Sequence, residues 1–328
     1  MRKTLPAALM ILALATTGLS ACSNEVPQLP STGTSPSESE QPNLDEVQVS
    51  TLISEVEEAL VAGDEALDES MLQPRVKDPA LAMRAAMYRL TKARQDTVAG
   101  LDMDETAATV TQSHTWPRAI IAPTKATEDE LPQIGFITQD NPRDDYKLTS
   151  WVRMFPGESL QTIAVSEGSP VVAADADGFV LSPQEALTEW TARLDDKANQ
   201  PDLFADDEFA KAYKEQLKLN DSLGENGKVT IAATPAEKPL TAVALVDGSA
   251  LVAGNISFTV TYERVKENAK IKLGGAIADL MEDPQVHDKP VEVTYLASVA
   301  LILPPKGSSE LIHAIGAERV LGSYRVVE

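Results

Sequence analysis

The chain predicts an α+β fold built as two tandem units, each a pair of helices followed by antiparallel strands. Three observations carry that expectation. Apolar residues recur with a 3.6-residue period early in each half, and strand-like apolar runs bounded by turn residues follow. Helices come first and strands after, twice, an order that lets a curved antiparallel sheet close over its helices. The chain has 328 residues. Without an N-terminal leader about 300 remain, which at about 100–200 residues per domain predicts two domains. A single mixed domain is the alternative.

The leader is expected over residues 1–21. Arg2 and Lys3 precede an uncharged run, 5–19, centred on Leu9, Met10, Ile11, Leu12 and Leu14. That run is shorter than the about 20 apolar residues of a membrane-spanning helix and fits a secretory signal. The positive start favours a cytoplasmic N-terminus during export. The stretch ends Leu19-Ser20-Ala21-Cys22, which resembles the bacterial lipobox. The resemblance implies a diacylglycerol thioether on Cys22, cleavage before it, and a lipid anchor on the outer face of the cytoplasmic membrane. The thioether needs a thiolate nucleophile, and Cys22 is the chain's one cysteine. It follows that the protein has no internal disulfide and no thiolate metal cluster. Residues 22–43 then read as the lipidated cysteine and a disordered tether. They hold Ser31, Thr32, Ser35, Ser37 and Ser39 with Pro27, Pro30, Pro36 and Pro42, and have no apolar period. Such a tether spans about 25 Å as a coil and about 65 Å extended.

The first α+β domain is expected over 44–168. Asp45 can cap a helix whose face carries Leu52, Ile53, Val56 and Leu60, with Gly63 as a stop. A second helix starts at Pro79 and continues through Met83, Met87 and Leu90. Strands follow at 107–113, 118–123, 134–138 and 146–155, the last ending at Pro156-Gly157.

The second domain is expected over 169–328, joined to the first by an exposed connection between Pro156 and Ser182. Asp177-Gly178 is a turn pair. Ser182-Pro183-Gln184-Glu185 is a capping box with proline in the first turn, and Leu187, Trp190 and Leu194 supply a buried stripe. Another helix over 207–223 carries Phe209, Tyr213 and Leu217 four residues apart. Strands are expected at 228–234, 240–246, 250–262, 291–303 and 310–327, with Asp247-Gly248 closing a tight hairpin.

The element order of both halves loosely resembles the NTF2-like and cystatin-like class, implying two cone-shaped sheets. Residues 148–157 can be laid over 296–307 as the corresponding strand of the other copy. Further segments carry a closer resemblance: the lipobox, the acidic Ser/Pro tether, Pro79-Ala80-Leu81-Ala82-Met83-Arg84, Asp140-Asn141-Pro142-Arg143, Leu181-Ser182-Pro183-Gln184-Glu185-Ala186-Leu187, Leu273-Gly274-Gly275-Ala276 and Gly316-Ala317-Glu318-Arg319-Val320. Together they resemble a group of uncharacterised actinobacterial lipoproteins. That resemblance implies a Gram-positive cell envelope and brings no catalytic residues.

Composition narrows the partners. With 50 acidic against 28 basic residues and a net charge of −22, the surface repels nucleic acid phosphates and anionic lipid heads. Membrane contact through lipid on Cys22 is what the lipobox resemblance implies, no nucleic acid is expected, and an envelope protein or small ligand is the remaining partner.

Motifs for chemistry are sparse. Asp175-Ala176-Asp177-Gly178 matches part of a calcium loop but lacks its first oxygen ligand and closing glutamate, so it reads as a turn. His114, His287 and His313 form no metal-binding pair. Asp206-Asp207-Glu208 precedes a helix and reads as a dipole-favoured N-terminus. Leu273-Gly274-Gly275-Ala276 reads as a turn into a short helix. Trp116, Trp151 and Trp190 read as core, with Trp151 alternatively lining a pocket. No metal, cofactor or catalytic residue is assigned. A non-catalytic binding or assembly module is the favoured reading. The alternative is an envelope enzyme using a pocket carboxylate or His114.

Overall fold

The computed structural model describes residues 41–125, 127 and 130–327. Cys22, the leader expected over 1–21 and the expected tether up to residue 40 lie outside the described residues. The architecture is α+β.

The first half opens with α1 (Glu46–Ala66), where Asp45 and Gln48 form a capping box and Val49, Ile53, Val56 and Leu60 are buried. The helix runs through Gly63 and ends at Leu67 in the left-handed region. Gly63 is a packing position rather than a stop: a Cβ there would meet the Leu72 side chain at 2.5 Å and the Tyr88 hydroxyl at 2.8 Å. Next come α2 (Ala80–Arg94) and four strands, β1 (Thr109–Gln112), β2 (Arg118–Pro123), β3 (Gln133–Gln139) and β4 (Lys147–Met154). The strands pair antiparallel in sequence order.

The second half repeats this order with longer pieces. Ser182 and Glu185 cap α3 (Pro183–Leu194), which buries Leu187, Trp190 and Leu194. The expected helix over 207–223 is broken into α4 (Glu208–Glu215), a single 3-10 turn and α5 (Leu219–Leu223). Phe209 and Tyr213 are buried, but Leu217 is 38% exposed, so the apolar stripe fails where the helix breaks. After the small two-residue strand β5 (Ser169–Pro170), which precedes α3, the strands are β6 (Gly227–Pro235), β7 (Thr241–Ala244), β8 (Ala250–Arg264), β9 (Ile271–Lys272), β10 (Gln285–Val286), β11 (Val291–Leu303) and β12 (His313–Val326). β6 and β7 both pair with β8, end to end, and act as one interrupted strand. β9, β10 and the short helix α6 (Gly275–Leu280) form an excursion between β8 and β11.

The two expected sheets are one. The strand order is β5-β1-β2-β3-β4-β12-β11-β8-β6, with β7 also on β8. The halves join where β4 meets β12, through Met154↔Gly316 and Arg153↔Ala317. Backbone contact is so close there that a Cβ on Gly316 would sit 2.5 Å from the Arg153 carbonyl oxygen. Residues 148–157 and 296–307 are also not matching strands. The first segment is in β4, the fourth strand of its half, and the second is in β11, the third. Strands of similar apolar pattern cannot be told apart by pattern alone, so an overlay of two such segments does not make them equivalent.

The connection between the halves is not a loose linker. Ser169 and Pro170 pair in parallel with Thr111 and Gln112 of β1. Val171 bridges Val243 of β7, and the Val172 N–H donates to the Ala242 carbonyl at 2.9 Å. Residues 169–172 therefore tie the outer edge of one set of strands to the outer edge of the other, and the sheet nearly closes on itself. Backbone groups at both edges gain partners this way instead of facing water unpaired.

Three apolar clusters result from side-chain alternation. On β2, Ile120 and Ala122 face α1 and α2, whereas Ala119 and Ile121 face the other way. On β8, Ala250 and Val252 pack with α3, whereas Leu251 and Ala253 face away from it. The inward-facing set from both halves, including Phe136, Val152, Met154, Val243, Leu251 and Ile315, forms a third core inside the nearly closed sheet.

Candidate functional site

One end of that interior is polar and open. Thr111 of β1 and Thr138 of β3 continue the inward face beyond the apolar core, and both are buried. Beyond them lies a cavity of about 690 Å³, within the range of small-molecule sites and in the position, a barrel mouth, where such sites recur. Its walls come from three places. The first half contributes β1, the turn after it, Ala119, Thr138 and Asp140; the second contributes residues 237–242; residues 170–174 and Gln184 complete it.

Local sequence explains each wall. The turn between β1 and β2 holds Trp116-Pro117, and the Trp116 indole N–H donates to Gln139 at 3.0 Å. The Arg118 guanidinium covers the same indole at 4.2 Å, a cation–π contact. In the opposing wall, β6 ends at Pro235 and Pro239 lies within the break before β7; a proline has no N–H to donate to a ladder, which suits the end of a strand and an unpaired stretch. The cavity's polar first-half groups are already engaged. The Thr111 hydroxyl donates to Asn43 and accepts from the Ala119 N–H, both at 2.9 Å. The hydroxyls of Thr138 and Thr149 bond at 2.5 Å. Asp140 is held by Lys77 at 2.7 Å.

The chain reaches this rim from its N-terminal side. Asn43 donates its backbone N–H to the Thr111 carbonyl at 2.9 Å and its side-chain amide to the Ser113 carbonyl at 2.6 Å. Pro42 packs beside Gly168. Residues 42 and 43, expected from the sequence to end a disordered tether, are thus stitched onto the same strand that lines the cavity.

The histidines are scattered. His114 is exposed in the β1–β2 turn and is not a lining residue. His287 meets Asp283 at 2.8 Å on the surface, and His313 lies 3.8 Å from Glu158; neither pair is at the cavity. Asp175 and Asp177 are exposed in the turn that leads to α3. Among the described residues, no three His, Cys, Asp or Glu side chains are grouped to hold a metal ion. Asp207 caps α4 through the Ala210 N–H at 2.7 Å and also accepts from the Trp190 indole at 3.0 Å and from Arg193 at 3.3 Å. Asp206 also pairs with Arg193, so Asp206 and Asp207 tie the start of α4 to α3, while Glu208 pairs with Lys211 within α4 itself. Trp151 and Trp190 are core residues, whereas Trp116 is at the cavity.

A second polar cluster was not read from the sequence. Arg84 of α2 is 1% exposed. Its guanidinium donates to the Ala99 carbonyl at 2.9 Å, lies 3.5 Å from Asp64 and stacks 5.0 Å from the centre of Trp151. The Tyr88 hydroxyl donates to Asp64 at 2.7 Å. Burial pushes the Asp64 carboxyl up against the pull of Arg84, and lowers Arg84 itself. Nearby Glu318 is also pushed up by burial, with Arg153 at 3.6 Å opposing. The only sequence signal is spacing: Arg84 and Tyr88 follow Ala80 at intervals of four on an otherwise apolar face. Sealed from solvent, Arg84 binds helix to sheet and offers no access to a substrate.

No helix among the described residues is long and apolar enough to cross a membrane. Comparison with family models, curated proteins and solved structures finds no match to this chain.

Proposed function

We propose that the protein is a lipid-anchored lipoprotein on the outer face of the cytoplasmic membrane, working as a non-catalytic binding module of the cell envelope, with the cavity at the sheet's mouth as its binding site. The single observation that carries the binding reading is that cavity. It is built from both halves, it is of ligand size, and no histidine lines it. Of the two acids on its lining, Asp140 is paired with Lys77, whereas Glu237, at the exposed rim, is unpaired among the described residues, so an enzyme with a pocket carboxylate remains the alternative reading. The anchor reading rests on Leu19-Ser20-Ala21-Cys22 and on its resemblance to the lipobox. We further read the two halves as copies of one helix-helix-four-strand unit of the NTF2-like or cystatin-like kind, fused through their last strands.

Fractionation of the full chain tests the anchor. Cys22→Ala should move the protein from the membrane to the soluble fraction, because acyl chains contribute ~0.8 kcal/mol per buried methylene and two or three anchor stably. Retention of the variant on membranes after a high-salt wash would defeat the reading. Crosslinking the native protein in its envelope then tests the module: adducts centred on residues 169–174 and 236–242 support it, and adducts confined to the helical faces oppose it.

A further inference from the structure

The cavity is polarised, and its polarity matches an amphiphile. Ala119, Pro170, Val171, Val172, Leu240 and Ala242 give it a hydrocarbon wall. The hydroxyls of the first-half wall are spent on internal hydrogen bonds, so they offer little to a ligand rich in hydroxyls. The Trp116 face that a sugar ring would stack on carries Arg118 instead. Lys238, Glu237 and Gln184 differ. None of these three side chains has a hydrogen bond or ion pair among the described residues, Lys238 and Glu237 are exposed at the rim, and Lys238 is the one cation on the lining.

The chain's own route adds a second argument. Pro42 and Asn43 are fixed beside Gln112 and Ser113 at the rim. With the anchor proposed above, Pro42 at this rim follows the lipidated Cys22 by about 20 residues.

We propose that this cavity holds the hydrocarbon tail of an acyl-chain lipid bearing an anionic group, with the tail along Val171, Val172 and Leu240 and the anionic group at Lys238. Burial of the tail supplies affinity, since apolar area removed from water is the main favourable contribution. The rim cation orients the ligand and contributes less, as charges open to solvent do. This deepens the binding reading and does not require the anchor itself.

The test is photolabelling of the full chain in its native membranes with a diazirine-bearing palmitate, followed by peptide mapping. Adducts should fall on residues 169–174 and 236–242, and unlabelled palmitate should compete. Leu240→Glu, which places a charge on the hydrocarbon wall, should cut labelling at least tenfold. Lys238→Glu lies on the exposed rim, where folding is unaffected, and should cut it about threefold to tenfold. The Cys22→Ala chain should still be labelled. If it is labelled but stays on membranes, the anchor reading fails and this one stands; if it is released but unlabelled, the reverse holds. Labelling spread along the surface, insensitivity to both cavity variants, or competition by a neutral oligosaccharide instead of palmitate would overturn the proposal.

Discussion

The two helix-on-sheet cores solve the same packing problem with different chemistry. In the second half, Phe258 of β8 sits at the centre of an aromatic group. It stacks on Tyr295 at 4.8 Å and meets Tyr213 and Phe209 edge-on at 5.3 and 6.1 Å, while Trp190 lies 5.5 Å from Phe209. In the first half, the corresponding layer between helix and sheet is centred on a cation, Arg84, over Trp151. Aromatic contact tolerates small shifts and needs few polar partners. A buried guanidinium is stable only while its carboxylate and carbonyl partners stay in place. The first half should therefore fail when a partner is lost, and the second when volume is lost.

The largest effect is expected from Phe258→Ala. It removes a fully buried ring and should destabilise by about 3–5 kcal/mol. A shift in the urea midpoint corresponding to less than about 1.5 kcal/mol would show that the ring is not the centre of its core. Arg84→Met keeps the stem and loses the charge, leaving Asp64 half-buried without its cation. It should destabilise by about 3 kcal/mol, and adding Asp64→Leu should recover much of that loss. No recovery in the double variant would mean that Arg84 acts by packing alone, and the contrast between the cores would collapse.

The junction between the halves gives the next test. Gly316→Ala must push β12 away from the Arg153 carbonyl, a strain of about 1–3 kcal/mol. If the halves hold together mainly through residues 169–172, unfolding should remain a single transition. Two separate calorimetric transitions would show that the β4–β12 contact couples them. Helix caps should cost the two halves alike: Asp45→Ala and Ser182→Ala are each expected to destabilise by about 1 kcal/mol, and a threefold difference between them would mean the halves differ in more than their core chemistry.

The smallest effect concerns pH. Burial raises the Glu318 carboxyl above the ordinary carboxylate range, with Arg153 and Arg84 opposing. A carboxyl raised in the folded state contributes stability that is fully present below its unfolded value of about 4.3 and is lost as pH rises through the folded value. Asp64 is shifted in the same direction. Glu318→Gln should therefore flatten the fall in melting temperature between mildly acidic and neutral pH. An unchanged slope in the variant would show that Glu318 is ionised as readily in the folded chain as in the unfolded one.

Local signals in the sequence were enough to place most elements. The capping residues Asp45 and Ser182, the Asp247-Gly248 hairpin and the alternating runs of β2, β8 and β11 act within a few residues, so they are legible one segment at a time. The candidate site was scarcely legible. Its lining residues come from three stretches far apart in the chain, and residues such as Val171, Val172 and Leu240 carry no local mark of a cavity. The buried Arg84 was hidden for the same reason: its partners Asp64, Ala99 and Trp151 meet it only in space.

What the sequence by itself determined was the order of helices and strands, the α+β class, the acidic surface and the presence of a single thiol at Cys22. Only the tertiary structure decided that the two runs of strands form one nearly closed sheet, that residues 169–172 stitch its edges, and that a cavity opens beside Pro42 and Asn43. The reason is that strand pairing depends on which edges remain unpaired after each half has folded. An alternating apolar pattern states which face of a strand is buried, but it does not state which other edge will satisfy its backbone.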